Sequence, residues 1–257
     1  LLEHRSLNLD DLAARSARNI ERTYLAIGRR TPGARTVCGA GWVCCLSELD
    51  HPICNFGIVR ADAEFDADGL RRLIADKKAF NLYSFRPLPA TDLDRVRGMG
   101  FAPTYRLLQL FKSGPLEGLT AELEEAEGHE RLQVAEFMVR QFFFRQSRAV
   151  RQNISQATAE CNLPLYWSKS GAQTVGAVML CPAAGVLGLY NLCIDPDMRS
   201  RGLGSATVRA ILSVSSQYER PVVLQCDAVL ESWYGGLGFS KLGTVEVFCR
   251  NPRETRL

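Results

Sequence analysis

The segment from Arg199 to Ser205 combines residue types that bind phosphate groups. It consists of Arg199, Ser200, Arg201, Gly202, Leu203, Gly204 and Ser205. The first N–H groups of a helix lack partners within the helix, and the positive end of the helix dipole lies there, so a strand-to-helix turn of this kind favours an anion. The two glycines let the backbone approach a ligand, the arginines add positive charge, and Ser205 adds a hydroxyl. This composition predicts a diphosphate site.

The elements around this loop follow a mixed α/β pattern. In the second half we predict a helix over 129–145, helix or loop to 160, a hairpin of strands 163–169 and 174–180, a strand over 186–194, a helix over 204–217, a strand over 222–226, a short helix through Tyr234 and a final strand over 239–249. This order predicts a fold with one central mixed sheet.

The first half shows a similar order of elements. It predicts a helix over 10–27, strands over 36–46 and 52–59, a helix over 69–78 capped by Asp66 or Asp68, a buried strand over 79–85, a short helix capped by Thr91 and a strand over 104–111.

Two short segments of the first half recur in the second half. Arg97-Gly98-Met99-Gly100-Phe101 matches Gly235-Gly236-Leu237-Gly238-Phe239, 138 residues later, and Asn55-Phe56-Gly57-Ile58 matches Asn191-Leu192-Cys193-Ile194, 136 residues later. Two matches in the same order at nearly the same offset indicate a duplicated domain. We place the boundary in the loose segment 112–118, which gives domains 1–114 and 115–257.

The loop and its neighbours resemble the GCN5-related N-acetyltransferase (GNAT) family. The loop follows a strand that ends in Leu192-Cys193-Ile194-Asp195-Pro196, and about thirty residues later comes Trp233-Tyr234-Gly235-Gly236-Leu237-Gly238-Phe239. The family signature is a strand, a short acidic-Pro segment, Arg/Gln-x-x-Gly-x-Gly/Ala, a helix, a strand and a Tyr-x-x-x-Gly-Phe helix end. The resemblance covers residues 119–257 well and residues 1–112 in outline.

This resemblance implies an acetyl-CoA-dependent transfer to an amine. Carried over by position, the loop would bind the pyrophosphate through backbone amides, and Leu192, Cys193 and Ile194 would pair with the pantetheine arm from the splayed edge of their strand. Tyr234 would lie near the thioester sulfur and act as the acid for the departing thiolate. A backbone N–H of Cys193 or Ile194 would stabilise the oxyanion. Asp227 stands where many members carry an Asn beside the cofactor, so this sequence departs from the family pattern at that contact.

The general base and the acceptor stay open at this stage. Candidate bases are Glu160, Glu231 and the phenol of Tyr190. A Cys193 acyl-enzyme is an alternative to direct attack of the amine. Acceptor contacts are expected from the segment 142–156, where three arginines would suit an acidic or phosphorylated acceptor: Arg145, Arg148 and Arg151.

The first half is not expected to bind CoA. Where the second half has its loop, the first half carries four carboxylates, which are Asp62, Glu64, Asp66 and Asp68. Negative charge repels a diphosphate, and the glycine pair is missing, so we expect a structural role or a contribution to the acceptor cleft between the domains. A calcium loop is not expected either, because the required Glu at its twelfth position is Ala75.

The composition excludes several other classes of function. The net charge is +3 without long basic blocks, which does not favour nucleic acid or a membrane surface as a partner. Nine cysteines without a C-x-x-C pair, and only three histidines, favour reduced thiols in a cytoplasmic protein with no metal. No apolar run approaches the ~18 residues of a membrane span, and the first ten residues do not resemble a secretory leader.

The favoured function is therefore N-acetyl transfer from acetyl-CoA to a small-molecule or peptide amine. The alternative is a non-catalytic acyl-CoA-binding or sensor protein. A nucleotide-binding module is disfavoured because the loop lacks the Gly-Lys-Ser/Thr of a P-loop.

Overall fold

The computed structural model describes residues 8–60, 63–77 and 79–250. The first half contains α1 (Leu9–Gly28), β1 (Arg35–Gly39), β2 (Trp42–Leu46), β3 (Phe56–Val59), α2 (Ala67–Leu73), β4 (Phe80–Ser84), α3 (Ala90–Gly98) and β5 (Ala102–Lys112). The second half contains β6 (Glu124–Glu125), α4 (Glu130–Phe142), α5 (Arg148–Glu160), β7 (Leu165–Ser170), β8 (Gln173–Ala183), β9 (Val186–Ile194), α6 (Leu203–Gln217), β10 (Val222–Cys226), α7 (Glu231–Gly236) and β11 (Ser240–Arg250). The predicted α/β class with a central mixed sheet is confirmed.

Most predicted elements are present, and several boundaries differ for local reasons. Residues 36–46 form a hairpin, β1 and β2, because the chain reverses at Gly41, which has a φ of 69°. The strand predicted over 52–59 is limited to β3, because Asn55 holds residues 47–55 in a turn: its side chain accepts from Ser47 N–H at 2.9 Å and donates to Leu49 C=O at 2.6 Å.

Helix boundaries also depart from prediction. Asp66 caps α2, as one of the two predicted caps, and accepts from Gly69 N–H at 2.9 Å, but the helix ends at Leu73; residue 78, its predicted end, lies outside the described residues. Helix α3 begins before Thr91, with Pro89 at its N-cap. The predicted helix over 129–145 ends at Phe142. A second helix, α5, then starts after the cap Ser147.

All eleven strands of the described chain form one sheet, in the order β1-β2-β3-β4-β11-β5-β10-β9-β8-β7-β6. The central strands β11 and β5 are antiparallel to each other; β11 also pairs with β4, and β5 with β10. On either side, β3·β4 and β9·β10 are parallel. The last strand of each half thus lies beside the preceding strand of the other half.

Four strands on each side of this central pair follow the same pattern, and β6 is an additional edge strand on the second-half side. Strands β5 and β11 have 11 residues each, and their first residues, Ala102 and Ser240, have the same 138-residue offset as the Gly-Phe match in the sequence. The duplication itself stays a prediction. The division into domains 1–114 and 115–257 stays a prediction, because the sheet runs continuously through both halves.

The two faces of the sheet carry different helices. Neighbouring residues of β9 show this, because Leu189 packs with α6 and Tyr190 packs in the cluster that contains residues of α1 and α4. Helices α1, α4 and α5 therefore cover one face, and α6 and α7 cover the other. On β4, Leu82 packs with α2 and α3, and Tyr83 belongs to the α1 side. Among the described residues no helix is both long and apolar enough to cross a membrane.

Candidate active site

Strands β9 and β10 separate and leave a fork in the sheet. They pair only where Leu187–Leu189 face Val222–Leu224. Beyond that point β9 keeps its pairing with β8 through a bulge, where Asn191 has a φ of 51° and the register shifts between Ala177 and Met179. The β10-facing edge of 191–194 has no strand partner within the described chain, so its backbone groups are available to an extended ligand that carries amides.

The predicted phosphate loop lies at the open end of this fork. It follows a short 3-10 turn over Pro196–Met198 and leads into α6, with left-handed backbone at Ser200 (φ 61°) and Gly202 (φ 81°). No side chain caps α6, and no described residue accepts a hydrogen bond from the N–H groups of 203–205. A Cβ placed on Gly202 would have no atom within 4 Å. The loop is therefore open and presents the free amides that a diphosphate needs.

The two arginines of the loop differ in their contacts. Arg199 Nε donates to Ile194 C=O at 3.1 Å, and its Nη2 donates to Gln141 Oε1 at 3.4 Å, so this side chain braces the loop against β9 and α4. Arg201 is exposed and makes no hydrogen bond or ion pair with another described residue. Its guanidinium is thus free to follow a ligand.

Gly204 brings the loop, the fork and α7 together. A Cβ at this position would lie 3.4 Å from the ring of Trp233 and 3.7 Å from Ile194 Cγ1. These are ordinary van der Waals distances, so Gly204 packs directly between Trp233 of α7 and Ile194 of the fork.

Tyr234 lies on α7, in the apolar cluster beside the end of β10. It is 5% exposed, and its ring packs at 4.6 Å from Trp233 and 5.4 Å from Phe239, measured between ring centroids. Its hydroxyl has no hydrogen-bond partner in the described chain. Burial, and to a lesser extent the nearby Cys226, raise the pKa of Tyr234 well above 10, so the phenol stays protonated at neutral pH.

Cys193 and Tyr190 are buried on the opposite face. Burial raises the pKa of the Cys193 thiol to about 12, which keeps it protonated and does not favour an acyl-enzyme. Tyr190 Oη donates to Asn19 Oδ1 at 2.6 Å, and burial raises its pKa well above 10. Tyr190 therefore holds α1 against β9, an arrangement that does not suit a general base.

The carboxylates named from the sequence lie in different places. Glu160 stands at the end of α5 and accepts from Gln156 Nε2 at 2.5 Å, on the α4/α5 side of the sheet. Asp227 accepts from Val229 N–H at 3.1 Å and caps the turn before α7. Glu231 is exposed on the first turn of α7 and raises the pKa of Cys226 in addition to burial. Of the three, Glu231 lies on the same short helix as Tyr234, and Asp227 caps the turn that leads into this helix.

Two cavities adjoin the fork. A polar groove of about 930 Å³ lies beside the loop, between α4 and residues 195–199, and contains both acidic and basic side chains. A mostly apolar cavity of about 230 Å³ lies under Asn191, on the face covered by α1, α4 and α5. The predicted acceptor segment contributes Phe142, Phe143, Gln146 and Ile154 to the second cavity.

The three arginines of that segment line neither of these cavities. Arg145 and Arg148 are exposed, and Arg151 donates to the carbonyls of Phe144 and Gln146 at 3.0 Å each. Arg151 therefore stabilises the loop between α4 and α5. The positions of these three arginines do not support the expectation of an acidic or phosphorylated acceptor.

In the described part of the first half, the counterparts of the fork and of the phosphate loop are both closed. All four residues of β3 pair with β4. The carboxylate of Asp66 caps α2, so a charged side chain occupies the position that a phosphate would need. Asp62 lies outside the described residues. Among those described, no group of three or more His, Cys, Asp or Glu could hold a metal ion.

Sequence reasoning missed the first-half residues of the apolar cavity. Asn81, Tyr83 and Tyr105 lie on β4 and β5, far in sequence from the loop. The available signal was Asn81 between Phe80 and Leu82, a polar residue inside a strand that was predicted to be buried.

Known structures share this fold. A GCN5-related N-acetyltransferase from Kribbella flavida is 13% identical, with a TM-score of 0.63 over 93% of this chain and 95% of that one. One from Sphaerobacter thermophilus is 12% identical (TM-score 0.53; 82% and 80% covered), and a GNAT-family acetyltransferase from Colwellia psychrerythraea is 10% identical (TM-score 0.51; 95% and 97% covered). No protein-family model and no curated protein matches the sequence. The chain has the fold of the GCN5-related N-acetyltransferases.

Proposed function

We propose that the protein is an N-acetyltransferase that moves an acetyl group from acetyl-CoA to a primary amine in a ternary complex. The observation that carries this proposal is the combination of an open, uncapped helix start with a strand fork beside it. Free amides suit a diphosphate, and a free strand edge suits the amide-bearing pantetheine arm. The loop is open to a ligand at Gly202, because nothing lies within 4 Å of a Cβ at this position.

In this proposal the loop binds the diphosphate of acetyl-CoA, and β9 binds its pantetheine arm. Residues 203–205 donate backbone N–H groups to the diphosphate, and Arg201 adds a mobile charge. Leu192, Cys193 and Ile194 hold the arm along the β9 edge. A backbone N–H of Cys193 or Ile194 donates to the carbonyl oxygen where negative charge develops. Bound acetyl-CoA supplies an activated acyl carbon and a thiolate leaving group.

Tyr234 is the proton donor in this scheme. Its phenol is neutral at physiological pH, and no described residue engages its hydroxyl, so it is available for the thiolate. The amine must lose a proton before it attacks. Among the carboxylates considered, Glu231 lies on the same helix as Tyr234 and is exposed, which suits transfer of that proton to solvent through water.

The proposal is tested with acetyl-CoA and a panel of primary amines. Ligand at about 100 times Kd stabilises a protein by about 2.7 kcal/mol. For a chain of this size such a gain raises Tm by roughly 5–10 °C. No change in Tm at saturating acetyl-CoA would refute the site.

Release of free CoA on addition of an amine then tests transfer. Stabilisation without amine-dependent release would identify the alternative, a non-catalytic acyl-CoA-binding or sensor protein.

A further inference from the structure

The apolar cavity under Asn191 has walls from both halves of the chain. The first half contributes residues of α1, β3, β4, β5 and the turn before β3, and the second half contributes α4, α5 and Asn191. Its volume is about 230 Å³, and an apolar cavity of about 150 Å³ can hold benzene. The cavity therefore has room for a six-membered ring with a short substituent.

The walls favour an uncharged ligand body. The described residues that line the cavity include no Asp, Glu, Lys or Arg. Burial raises the pKa of Tyr24, Tyr83 and Tyr105, so these phenols stay neutral, and it raises the pKa of the Cys54 thiol to about 12. A charged group on a ligand would lose its hydration in this cavity and find no side chain of opposite charge. An apolar ring would be stabilised by burial.

One wall residue lacks a hydrogen-bond donor. Asn81 is 4% exposed, and its Nδ2 donates to Tyr83 Oη at 3.3 Å, but no described residue donates to its Oδ1. A buried hydrogen-bond acceptor atom that receives no hydrogen bond lowers the stability of the folded protein. A ligand with an O–H or N–H group at this point would satisfy it, and the terminal methyl of an acyl chain would not.

The position of the cavity also suits the acceptor. Asn191 lies at the bulge where β9 leaves β10, so the cavity reaches the fork. Tyr234 and α6 lie on the other face of the sheet. A molecule in this cavity therefore reaches the fork from the face opposite Tyr234, so the amine and the proton donor would not compete for the same space.

We propose, on the basis of the function proposed above, that this cavity binds the body of the acceptor, and that the acceptor is a ring-bearing primary monoamine with a hydrogen-bond donor that reaches Asn81 Oδ1. The first half of the chain thus forms part of the acceptor site.

Binding of a matched set of amines tests this proposal independently of turnover. Isothermal titration calorimetry on the full chain, with and without CoA, compares tyramine, 4-methylphenethylamine and putrescine. The first two differ only in a hydroxyl that replaces a methyl, and putrescine carries a second charge. We expect tyramine to bind about tenfold more tightly than its methyl analogue, as one buried hydrogen bond predicts, and putrescine to bind more weakly than either.

Two variants locate the site. Asn81→Leu should remove the preference for tyramine over the methyl analogue. Leu107→Trp fills the cavity and should weaken both ring amines at least tenfold while the Tm gain with acetyl-CoA persists. The control Leu119→Trp makes the same substitution at a side chain that is 86% exposed and should change nothing.

Three results would overturn the proposal. The first is equal affinity of the wild type for tyramine and its methyl analogue, and the second is tighter binding of putrescine. The third is a Leu107→Trp variant that loses octanoyl-CoA but retains the ring amines, which would make an acyl chain the occupant. Failure of the proposed function itself is recognised separately, as loss of the Tm gain with acetyl-CoA in the wild type.

Discussion

The substitution Tyr234→Phe removes one hydroxyl and preserves the ring. The ring contacts with Trp233 at 4.6 Å and Phe239 at 5.4 Å remain possible for Phe. Because no described residue bonds to the Tyr234 hydroxyl, its loss breaks no internal hydrogen bond. The free energy of unfolding should therefore change by no more than about 0.5 kcal/mol.

The effect on catalysis should be much larger. A positioned proton donor contributes about 10²-fold or more to rate. We expect kcat to fall about 10²-fold, which corresponds to about 2.7 kcal/mol of transition-state stabilisation. The Kd of acetyl-CoA should change little, because its diphosphate contacts would come from residues 203–205. The raised pKa of Tyr234 means that ionisation of this phenol should not lower kcat at pH values below 10.

The assay should follow loss of the thioester absorbance, because the exposed Cys38 could react with a thiol reagent. Purified wild-type and Tyr234→Phe proteins are compared at saturating substrates, with Tm measured on the same samples. A variant kcat within twofold of wild type, at unchanged Tm, would contradict the role of Tyr234 as the acid. A large drop in Tm would contradict the structural argument instead.

Three further predictions concern the loop, the sheet and the buried thiols. Arg201→Gln should weaken acetyl-CoA about fivefold in calorimetry, and less at high salt, because an exposed charge is screened. A fragment of residues 115–257 lacks β5, which pairs with both β10 and β11, so it should show no cooperative urea transition by circular dichroism. The urea midpoint of the full chain should be constant up to about pH 9 and fall above it. Burial raises the folded-state pKa of Cys45 and Cys226 to about 11. The unfolded chain therefore loses these protons first, at up to about 1.4 kcal/mol per pH unit for each thiol. A constant midpoint through pH 10 would contradict this.

Local signals explain what the sequence could predict. Apolar spacing located α1, the Gly-rich turn located the start of α6, and the turn at Ser170-Gly171 located the β7–β8 hairpin. The loop at 199–205 could be found because its glycines and arginines are contiguous. The predicted element boundaries were wrong where a single residue determines them. At Gly41 the chain reverses direction, and this divides one apolar run into two strands.

The strand order depends on contacts that no local pattern contains. The 138-residue match correctly aligned β5 with β11, but strands of these sequences could pair within their own halves or with the opposite halves. Their apolar faces are buried in either arrangement. The choice is fixed by packing across the sheet, for example by Arg250 on β11, which donates to the carbonyls of Ile74, Lys77 and Met99 in the first half.

This pairing has a consequence for the site. Because β5 lies next to β10, its residues Tyr105 and Leu107 extend into the cavity that reaches Asn191. If the last strand of each half paired with the preceding strand of the same half, β11 would lie beside β10 in place of β5. Tyr105 and Leu107 would then lie elsewhere. The first half, which has no phosphate loop of its own, therefore contributes to the site through the strand that it places in the second half of the sheet. A substitution in β4 or β5 can thus alter acceptor binding without any contact to the loop at 199–205.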